Sequence, residues 1–410
     1  MSDPTSNDHA TRVQEGWVRA PLARFLTPNV ESVDVDPEQT YPTVGVLNRG
    51  RGLLYRDPVA GSATSYKKLN RIGPGVLVYS RLKAFEGAIT VTAHDLPESF
   101  ASQEFPTFAF APDADPDFFR ILTTTQRIWD ALQGASKGMG GRRERVKPAD
   151  FLNIVMDIPP LSVQERIVEV IGAVDDQITT LDAEAGALAA VLRHRRADLI
   201  TDDSVEAVRA EHAFDFSTGV RRTPDRATGP YMTPYLRSAN VGYGTLDLSD
   251  VLEMNYDPAE RKKFGLQYGD VVVSEGSASP NAVGMPAMWR DELPGTVCTQ
   301  MTLLRLRALE GICIPEFVFH WCMWAYETRA FLDVAGGTNI KHISAKRAKG
   351  MAVRLPSLAR QREMAVELDA TTSALEAIRA EAARLREVRA RLLSGLLDRT
   401  IEIESAERGV

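Results

Sequence analysis

The chain has 410 residues, of which 44% are hydrophobic and 25% charged, and its formal net charge is −7. This length predicts two or three domains with apolar cores of their own, and the acidic balance argues against a free-standing nucleic-acid binder. No run approaches the ~20 apolar residues that span a bilayer, and the polar first 17 residues lack the apolar segment of a secretory signal, so we expect a cytoplasmic protein.

The first 157 residues indicate a mixed α/β domain. Three apolar, β-branched segments at 42–48, 75–80 and 88–92 predict strands, and the segment 118–132 predicts a helix. A Gly-rich, basic stretch at 138–147 follows, which is typical of a loop.

A long helix follows this domain. Pro159 and Pro160 end the preceding segment, and Ser162 with Glu165 predicts a capping box. Steps of four and three residues then separate the apolar positions, which are Ile167, Ile171, Val174, Ile178, Leu181, Ala185, Leu188 and Leu192. Such spacing over four heptads predicts a coiled-coil helix rather than one face of a globular helix.

The second half repeats this plan. Segments 234–241, 269–276 and 301–307 predict strands, and the apolar segment 315–332 predicts a helix whose aromatic residues form a core. A second heptad series then follows, with Met364, Leu368, Leu375, Ile378, Ala382, Leu385, Leu392 and Leu396. We expect the two long helices to pack on each other.

The two halves match at a constant offset of 197 residues. The phrase IPPLSVQERI (158–167) corresponds to LPSLARQREM (355–364), and the match continues along both heptad series without an insertion. A period this long excludes a solenoid and indicates two diverged half-molecules. The helices match better than the globular domains, so the two domains are expected to recognise different features.

A proline-leucine phrase with a downstream glutamine, followed by a heptad helix and occurring twice, resembles the specificity subunits of type I restriction–modification systems. The resemblance covers residues 13–403 and implies two target recognition domains at 13–157 and 204–354. It also implies two conserved helices at 158–203 and 355–403 that form an antiparallel coiled coil. The implied fold class is therefore mixed α/β, with two globular domains separated by two long helices in an internal pseudo-two-fold repeat.

The same resemblance implies the partners. Each recognition domain would read one half of a bipartite site in double-stranded DNA. The long helices would dock two methyltransferase subunits that methylate adenine at N6 with S-adenosylmethionine, and restriction/translocase subunits would join the cleaving complex. No cofactor is expected in this chain itself.

Catalytic motifs are absent from the sequence. The segment DIPPL (157–161) departs from the tetrapeptide of adenine methyltransferases, since an isoleucine separates the acid from the prolines and a leucine replaces the aromatic residue. There is no P-loop, no G-x-G-x-x-G and no catalytic triad. The three cysteines lack the spacing of a zinc site. We therefore expect no catalysis and no metal site in this chain.

Base edges and phosphates are contacted by Arg, Lys, Asn, Ser and similar donors in loops. In the first half we predict DNA contacts from Asn48, Arg49, Arg51, Arg81, Lys83, Arg142, Arg143 and Arg145. In the second half we predict them from Arg237, Asn240, Tyr243, Ser277, Ser279, Asn281, Asn339, Lys341 and His342. The loops with Arg142 and Arg143 and with Asn339 and Lys341 are favoured, because they share one repeat position.

Partner docking is assigned to the repeated phrase, at Leu161, Gln164, Leu358 and Gln361. The alternative is a local role, with the glutamine capping the helix and the leucine packing it on its domain. Two other functions also fit the sequence: a tandem-domain DNA-binding regulator, which would bind DNA alone, and a coiled-coil scaffold, which would not bind DNA at all.

Overall fold

The computed structural model describes residues 16–136, 145–277, 279, 281–337 and 341–402. Two helices of 40 residues each occur in it, the first arm (Leu161–Ile200) and the second arm (Leu358–Leu397). The chain divides into two compact units. The first unit combines the chain up to Thr179 with the segment from Ala383 onward, and the second unit is Thr180–Ala382.

The globular part of the first unit is built of short strands and three helices. The helices are Pro116–Leu122, Gln126–Ala135 and Pro148–Leu152. The strands are β1 (Val18–Pro21), β2 (Leu26–Pro28), β3 (Glu31–Asp34), β4 (Thr40–Tyr41), β5 (Val44–Val46), β6 (Leu53–Tyr55), β7 (Val59–Ala60), β8 (Lys68–Ile72), β9 (Leu77–Tyr79), β10 (Ile89–Val91), β11 (Ser99–Ala101), β12 (Thr107–Phe110) and β13 (Val155–Ile158).

An antiparallel four-stranded sheet in the order β10-β9-β12-β2 forms the centre of this unit. Strand β1 pairs with β13 and so ties the entry of the chain to the residues just before the first arm. A separate three-stranded sheet has the order β11-β8-β3. The four-stranded sheet packs against the helices around buried residues such as Tyr79, Phe108 and Phe151, which gives the unit its own core.

The predicted helix 118–132 is two helices, because three threonines interrupt it. The hydroxyls of Thr123, Thr124 and Thr125 each donate to the carbonyl three residues earlier, at 2.7 Å. Such side-chain bonds offer the backbone an alternative to the helical ladder, and the chain turns there.

The second unit repeats the framework with different additions. Its helices are Pro258–Phe264, Pro315–Glu327, Ala330–Asp333 and Ala345–Lys349. Its strands are β14 (Ala207–Arg209), β15 (Phe214–Thr218), β16 (Met232–Leu236), β17 (Leu252–Asn255), β18 (Val271–Ser274), β19 (Gly276–Ser277), β20 (Pro286–Met288), β21 (Cys298–Thr299), β22 (Leu303–Ala308), β23 (Lys341–His342) and β24 (Ala352–Arg354).

The central sheet of the second unit has the order β20-β18-β22-β15 and is also antiparallel. The pair β14-β24 takes the place of β1-β13. The additional three-stranded sheet differs, because its order is β17-β16-β21 and β16 runs parallel to β21. In helix Pro315–Glu327, Phe317, Phe319 and Trp321 are buried core residues, as predicted, and Trp324 packs against the same core while partly exposed.

The arms pack antiparallel within each unit. The first unit contains the start of the first arm and the end of the second, where the Arg389 guanidinium donates to the Asp175 carboxylate at 2.9 Å. The second unit contains the end of the first arm and the start of the second, where Arg195 donates to Glu367 at 3.1 Å. Most of the predicted heptad positions are buried in the core of one unit or the other. The sequence therefore predicted the helical seam correctly.

The predicted capping box is wrong. The first arm begins at Leu161, so Ser162 lies inside its first turn, and the Pro160 carbonyl accepts from the Gln164 amide at 3.0 Å. In the second arm the equivalent residue is Ser357, whose hydroxyl accepts from the Arg360 amide at 3.3 Å. Proline and serine thus occupy the same cap position in the two halves.

Candidate DNA-recognition site

Loops at one end of the central sheet of the first unit converge. They are residues 47–52, 80–88, 102–106 and 145–147, and we call them the first loop cluster. The Arg49 amide donates to the Gly87 carbonyl at 2.7 Å, and the Arg81 amide donates to the Glu104 carbonyl at 2.9 Å. The Val146 amide donates to the Arg81 carbonyl at 3.1 Å. The predicted contact residues in this part of the described chain are therefore neighbours, although up to 97 positions separate them in the sequence.

The turn after β5 presents its donors outward. Arg49 and Arg51 are exposed, and Arg49 adopts a left-handed conformation with φ of 60°. Its guanidinium lies over the Trp129 ring at 5.6 Å from the centroid, and Arg51 Nε donates to the Asn48 carbonyl at 2.9 Å. Both guanidinium groups are thereby held in place and keep further N–H donors for a ligand.

Two glutamates hold the basic side chains of this cluster in place. Neither was among the predicted contact residues. Glu86 accepts from Asn48 Nδ2 at 2.6 Å and lies 3.6 Å from Lys83 Nζ. Glu104 lies 3.0 Å from an Arg145 nitrogen and 3.9 Å from an Arg81 nitrogen. The two glutamates meet these basic groups only through tertiary contacts. In the sequence, the one sign of this role is that both glutamates lie close to predicted loop residues.

Three of the predicted DNA contacts lie outside the described residues. They are Arg142 and Arg143 in the first half and Asn339 in the second. Their assignment to DNA stays a prediction.

A second loop cluster forms at the same end of the central sheet in the second unit. It consists of residues 237–250, 275–277, 279, 281–285, 300–302 and 341–342. Strand β19 pairs with β23, with Gly276 opposite His342 and Ser277 opposite Lys341. Lys341 is half-buried and His342 is exposed. The structure thus brings residues of two loops together that are 64 positions apart, at Ser277 and Lys341.

Ser279 and Asn281 lie in the exposed connection between β19 and β20. The Asn281 carbonyl accepts from the Tyr326 hydroxyl at 2.7 Å. The Tyr326 ring packs at a tilt against the Tyr243 ring, with the centroids 5.9 Å apart. Two aromatic rings therefore lie next to the backbone of this connection.

The prediction of a DNA contact from the side chain of Asn240 is wrong. Its side chain is buried, and Nδ2 donates to the carbonyls of Asp247 and Asp250 at 2.9 and 3.1 Å. Its hydrogen bonds are used to shape the loop 237–250, so a base edge cannot reach it. Arg237 also belongs to this loop, because its guanidinium donates to the Asp250 carboxylate at 2.6 Å.

Tyr243 takes part in a polar network inside the second unit. Its hydroxyl donates to the Glu327 carboxylate, which also accepts from Arg196. Burial, together with this bond to Glu327, raises the pKa of Tyr243 to about 12. Arg196 is fully buried, and the carboxylate of Glu327 pairs with its guanidinium. Tyr243 and Arg196 line a cleft of about 780 Å³ beside the arms.

The two glutamines assigned to partner docking are buried. Gln164 Nε2 donates to the carbonyls of Pro159 and Asp113 at 2.8 and 3.0 Å, and its Oε1 accepts from the Asp115 amide at 2.8 Å. The side chain therefore joins the arm to the globular part of the first unit. A fully buried side chain cannot touch a partner subunit, so the local role is the correct one for Gln164.

Gln361 repeats this arrangement bond for bond. Its Nε2 donates to the carbonyls of Pro356 and Ile312 at 2.9 and 3.0 Å, and its Oε1 accepts from the Ile314 amide at 3.0 Å. Gln361 is also fully buried, so its predicted docking contact is wrong for the same reason. We call the two arrangements the glutamine clamps.

The leucines of the repeated phrase are more accessible. Leu161 is 36% exposed and Leu358 is partly exposed, so both stay available for a partner. Further along the arms, Val191 and Val388 are 60% and 51% exposed and are equivalent at the offset of 197. The sequence match pairs these two valines at one repeat position, but it does not show that they are exposed.

The described part of the chain contains no group of three or more His, Cys, Asp or Glu side chains that could hold a metal ion. Among the same residues, no helix is both long and apolar enough to cross a membrane. The chemistry available at the two loop clusters is hydrogen-bond donation, acceptance and positive charge.

No protein-family model matches this sequence. A curated relative is the type I restriction enzyme EcoKI specificity subunit of Escherichia coli (strain K12), with 22% identity over 391 residues. The match covers 87% of this chain and 82% of that protein.

Two solved structures share the fold. The type I restriction–modification system S subunit from M. genitalium has a TM-score of 0.52 and 12% identity, covering 96% of this chain and 99% of that one. A chain from the work "Structural basis underlying complex assembly and conformational transition of the type I R-M system" has a TM-score of 0.64 and 17% identity, covering 95% of this chain and 99% of that one. These two structures confirm the predicted fold class, and the curated relative bears out the resemblance drawn from the two proline-leucine phrases.

Proposed function

We propose that this chain is the DNA sequence-specificity subunit of a type I restriction–modification complex. In this function each recognition domain reads one half of a bipartite site in double-stranded DNA. The chain supplies recognition, and its partners supply the chemistry. The complex works in the cytoplasm, where it meets DNA.

The observation that carries the proposal is the duplicated site. Each unit presents a loop cluster at the same end of an equivalent sheet, and each cluster contains donors suited to base edges and phosphates. The clusters differ in sequence while the sheets and clamps match. Two readers of different sequence on one repeated framework are what a bipartite, asymmetric DNA site requires.

The partners follow from the same repeat. Two methyltransferase subunits dock on the arms. One docks on the first unit, at a surface that includes Leu161 and Val388, and the other on the second unit, at the equivalent surface with Leu358 and Val191. Burial of an exposed valine side chain under a partner is favourable. We assign S-adenosylmethionine and the methylation of adenine at N6 to these subunits, and DNA translocation and cleavage to restriction subunits.

The scaffold and regulator alternatives explain less. A scaffold has no need of arginine, lysine and amide donors gathered from distant parts of the sequence into one loop cluster. A regulator that binds DNA alone would have to overcome the net charge of −7 without help from partners. The similarity to a type I specificity subunit over 87% of the chain also favours the proposed function.

The test is the mass and the DNA binding of the native complex. The chain is purified from its own cells under gentle conditions and weighed intact, and its binding to a random duplex library is measured. One copy of the chain with two methyltransferase copies, selecting a bipartite motif, is the expected result. The chain alone, or a complex without DNA affinity, would overturn the proposal in favour of a regulator or a scaffold.

A further inference from the structure

Arg81 lies two residues beyond the end of strand β9, in the middle of the first loop cluster. After Ser80, whose amide donates to the Ala88 carbonyl at 2.9 Å, the backbone of Arg81 makes two hydrogen bonds. Its amide donates to the Glu104 carbonyl at 2.9 Å, and its carbonyl accepts from Val146 at 3.1 Å. Arg81 is thus fixed between the loop before β12 and the segment before the first arm.

The backbone at the end of strand β18 in the second unit makes the same set of hydrogen bonds. The Ser274 amide donates to the Met285 carbonyl at 2.9 Å. The Glu275 amide then donates to the Thr302 carbonyl at 2.9 Å, and its carbonyl accepts from Ile343 at 2.8 Å. These bonds match those of the first unit one for one, so a glutamate occupies the place that an arginine holds in the first reader.

The charges around this position are also exchanged. In the first unit Arg81 and Arg145 both lie beside the Glu104 carboxylate. In the second unit Thr302 replaces that glutamate, and His342, which precedes Ile343, takes the place of Arg145. The negative charge therefore lies in the loop before β12 in the first unit and at the end of the central strand β18 in the second unit.

Among the residues that the structure describes, no hydrogen bond or ion pair engages the carboxylate of Glu275, and only the charge of His342 acts on it. It is half-buried, and burial raises its pKa, while the nearby His342 acts in the opposite direction. A carboxylate is a poor neighbour for phosphates, and desolvation without a donor is unfavourable. A donor supplied by a ligand offsets the desolvation cost.

We propose that Glu275 is a specificity-determining residue of the second recognition domain that accepts a hydrogen bond from an exocyclic amino group in the DNA major groove. Cytosine N4 and adenine N6 carry such groups, whereas the major-groove edge of guanine offers N7 and O6, which are acceptors. The first domain places the donors of Arg81 and Arg145 at the equivalent position. This inference rests on the proposed function.

The experiment selects bound sequences from a random duplex library with the native complex carrying wild-type chain, Glu275→Gln or Glu275→Ala. Every base pair carries one exocyclic amino group in the major groove, so we expect wild type to require one particular base pair at one position of one half-site, and the selection shows whether the amino group is that of cytosine or of adenine. Glu275→Ala should reduce discrimination at that pair by roughly fivefold to a hundredfold, since this is the range for one base-specific contact. Glu275→Gln keeps an acceptor and gains a donor, so it should shift preference toward adenine.

Glu310→Gln is the matched control, because Glu310 is exposed in the same unit and outside the loop cluster. Unchanged base frequencies in both Glu275 variants would overturn the inference. So would a loss of affinity that is uniform over all sequences, since that outcome indicates a structural role. Failure of the wild-type complex to select any bipartite motif would instead overturn the proposed function, so the two failures are distinguishable.

Discussion

At the scale of single residues, the basic groups of the first loop cluster are positioned rather than merely exposed. The Trp129 ring fixes the guanidinium of Arg49, and the Asn48 carbonyl fixes that of Arg51. Glu104 ties up part of the charge of Arg81 and Arg145. The turn after β5 therefore carries the donors with the fewest competing acid partners in this cluster.

We predict that the double variant Arg49→Ala/Arg51→Ala weakens DNA binding by the native complex and flattens its salt dependence. Each lost phosphate contact should lower the slope of log affinity against log salt by about 0.9. Binding titrations at several salt concentrations measure this. Arg391→Ala, at an 85% exposed side chain on the second arm, is the control. An unchanged slope in the double variant would show that these arginines do not contact phosphate.

His320 makes the stability of the second unit depend on pH. Burial lowers its pKa, although its Nε2 lies 3.1 Å from the Asp369 carboxylate, which opposes the shift. The unfolded chain therefore binds the proton more readily, so stability is present at neutral pH and falls as the pH drops below about 6.5. The slope approaches about 1.4 kcal/mol per pH unit for one proton.

Denaturant unfolding between pH 5 and 8 tests this prediction. His320→Gln should lose much of the acid-dependent slope, whatever its stability at neutral pH. His212→Gln, at an exposed histidine of the same unit, should keep it. Equal slopes in wild type and His320→Gln would contradict the prediction.

At the scale of elements, the glutamine clamps couple each arm to its recognition domain. The side-chain amide of Gln361 can donate twice and accept once, which matches its three partners. They are the Ile312 carbonyl and the Ile314 amide on one segment and the Pro356 carbonyl just before the arm. The prolines before each arm restrict the backbone there. The glutamine, three residues after the leucine, then points its side chain into the globular domain. This explains the repeated phrase as a structural joint.

We predict that Gln361→Ala lowers the free energy of unfolding by roughly 2–4 kcal/mol, because it leaves buried backbone groups without partners. Chemical denaturation followed by circular dichroism measures the change. Arg362→Ala, one residue further along the same arm and exposed, should cost little. A cost for Gln361→Ala as small as that of this control would mean that the clamp contributes nothing.

At the scale of the whole molecule, the repeat predicts equivalent docking of two identical partners. Val191 and Val388 are the exposed apolar pair at one repeat position, whereas Val366 is 71% exposed but its counterpart is Glu169. Two copies of one partner need the same chemistry on both arms. The paired valines satisfy that requirement and the unpaired valine does not.

We predict that Val191→Asp and Val388→Asp each remove one methyltransferase subunit, and that the double variant removes both, because a charge cannot be buried there without a partner. Native mass spectrometry counts the copies. Val366→Asp should leave two copies in place. Retention of both copies by the double variant would exclude these valines from the interface.

The sequence by itself determined the duplication, the long helices and the mixed α/β class. Heptad spacing and strand patterns are local signals, and the offset of 197 holds along both arms without insertion. Resemblance to specificity subunits followed from the two phrases, each ten residues long. These features need no knowledge of which segments meet.

Only the tertiary structure decided which residues are available. Asn240, Gln164 and Gln361 looked like surface groups, but backbone carbonyls brought from other segments bury and satisfy them. Arg81 and Glu275 are equivalent at a separation of 194, not 197, so the sequence offset conceals the pair. Strand register and loop length set that correspondence, and both depend on contacts between distant segments rather than on local sequence.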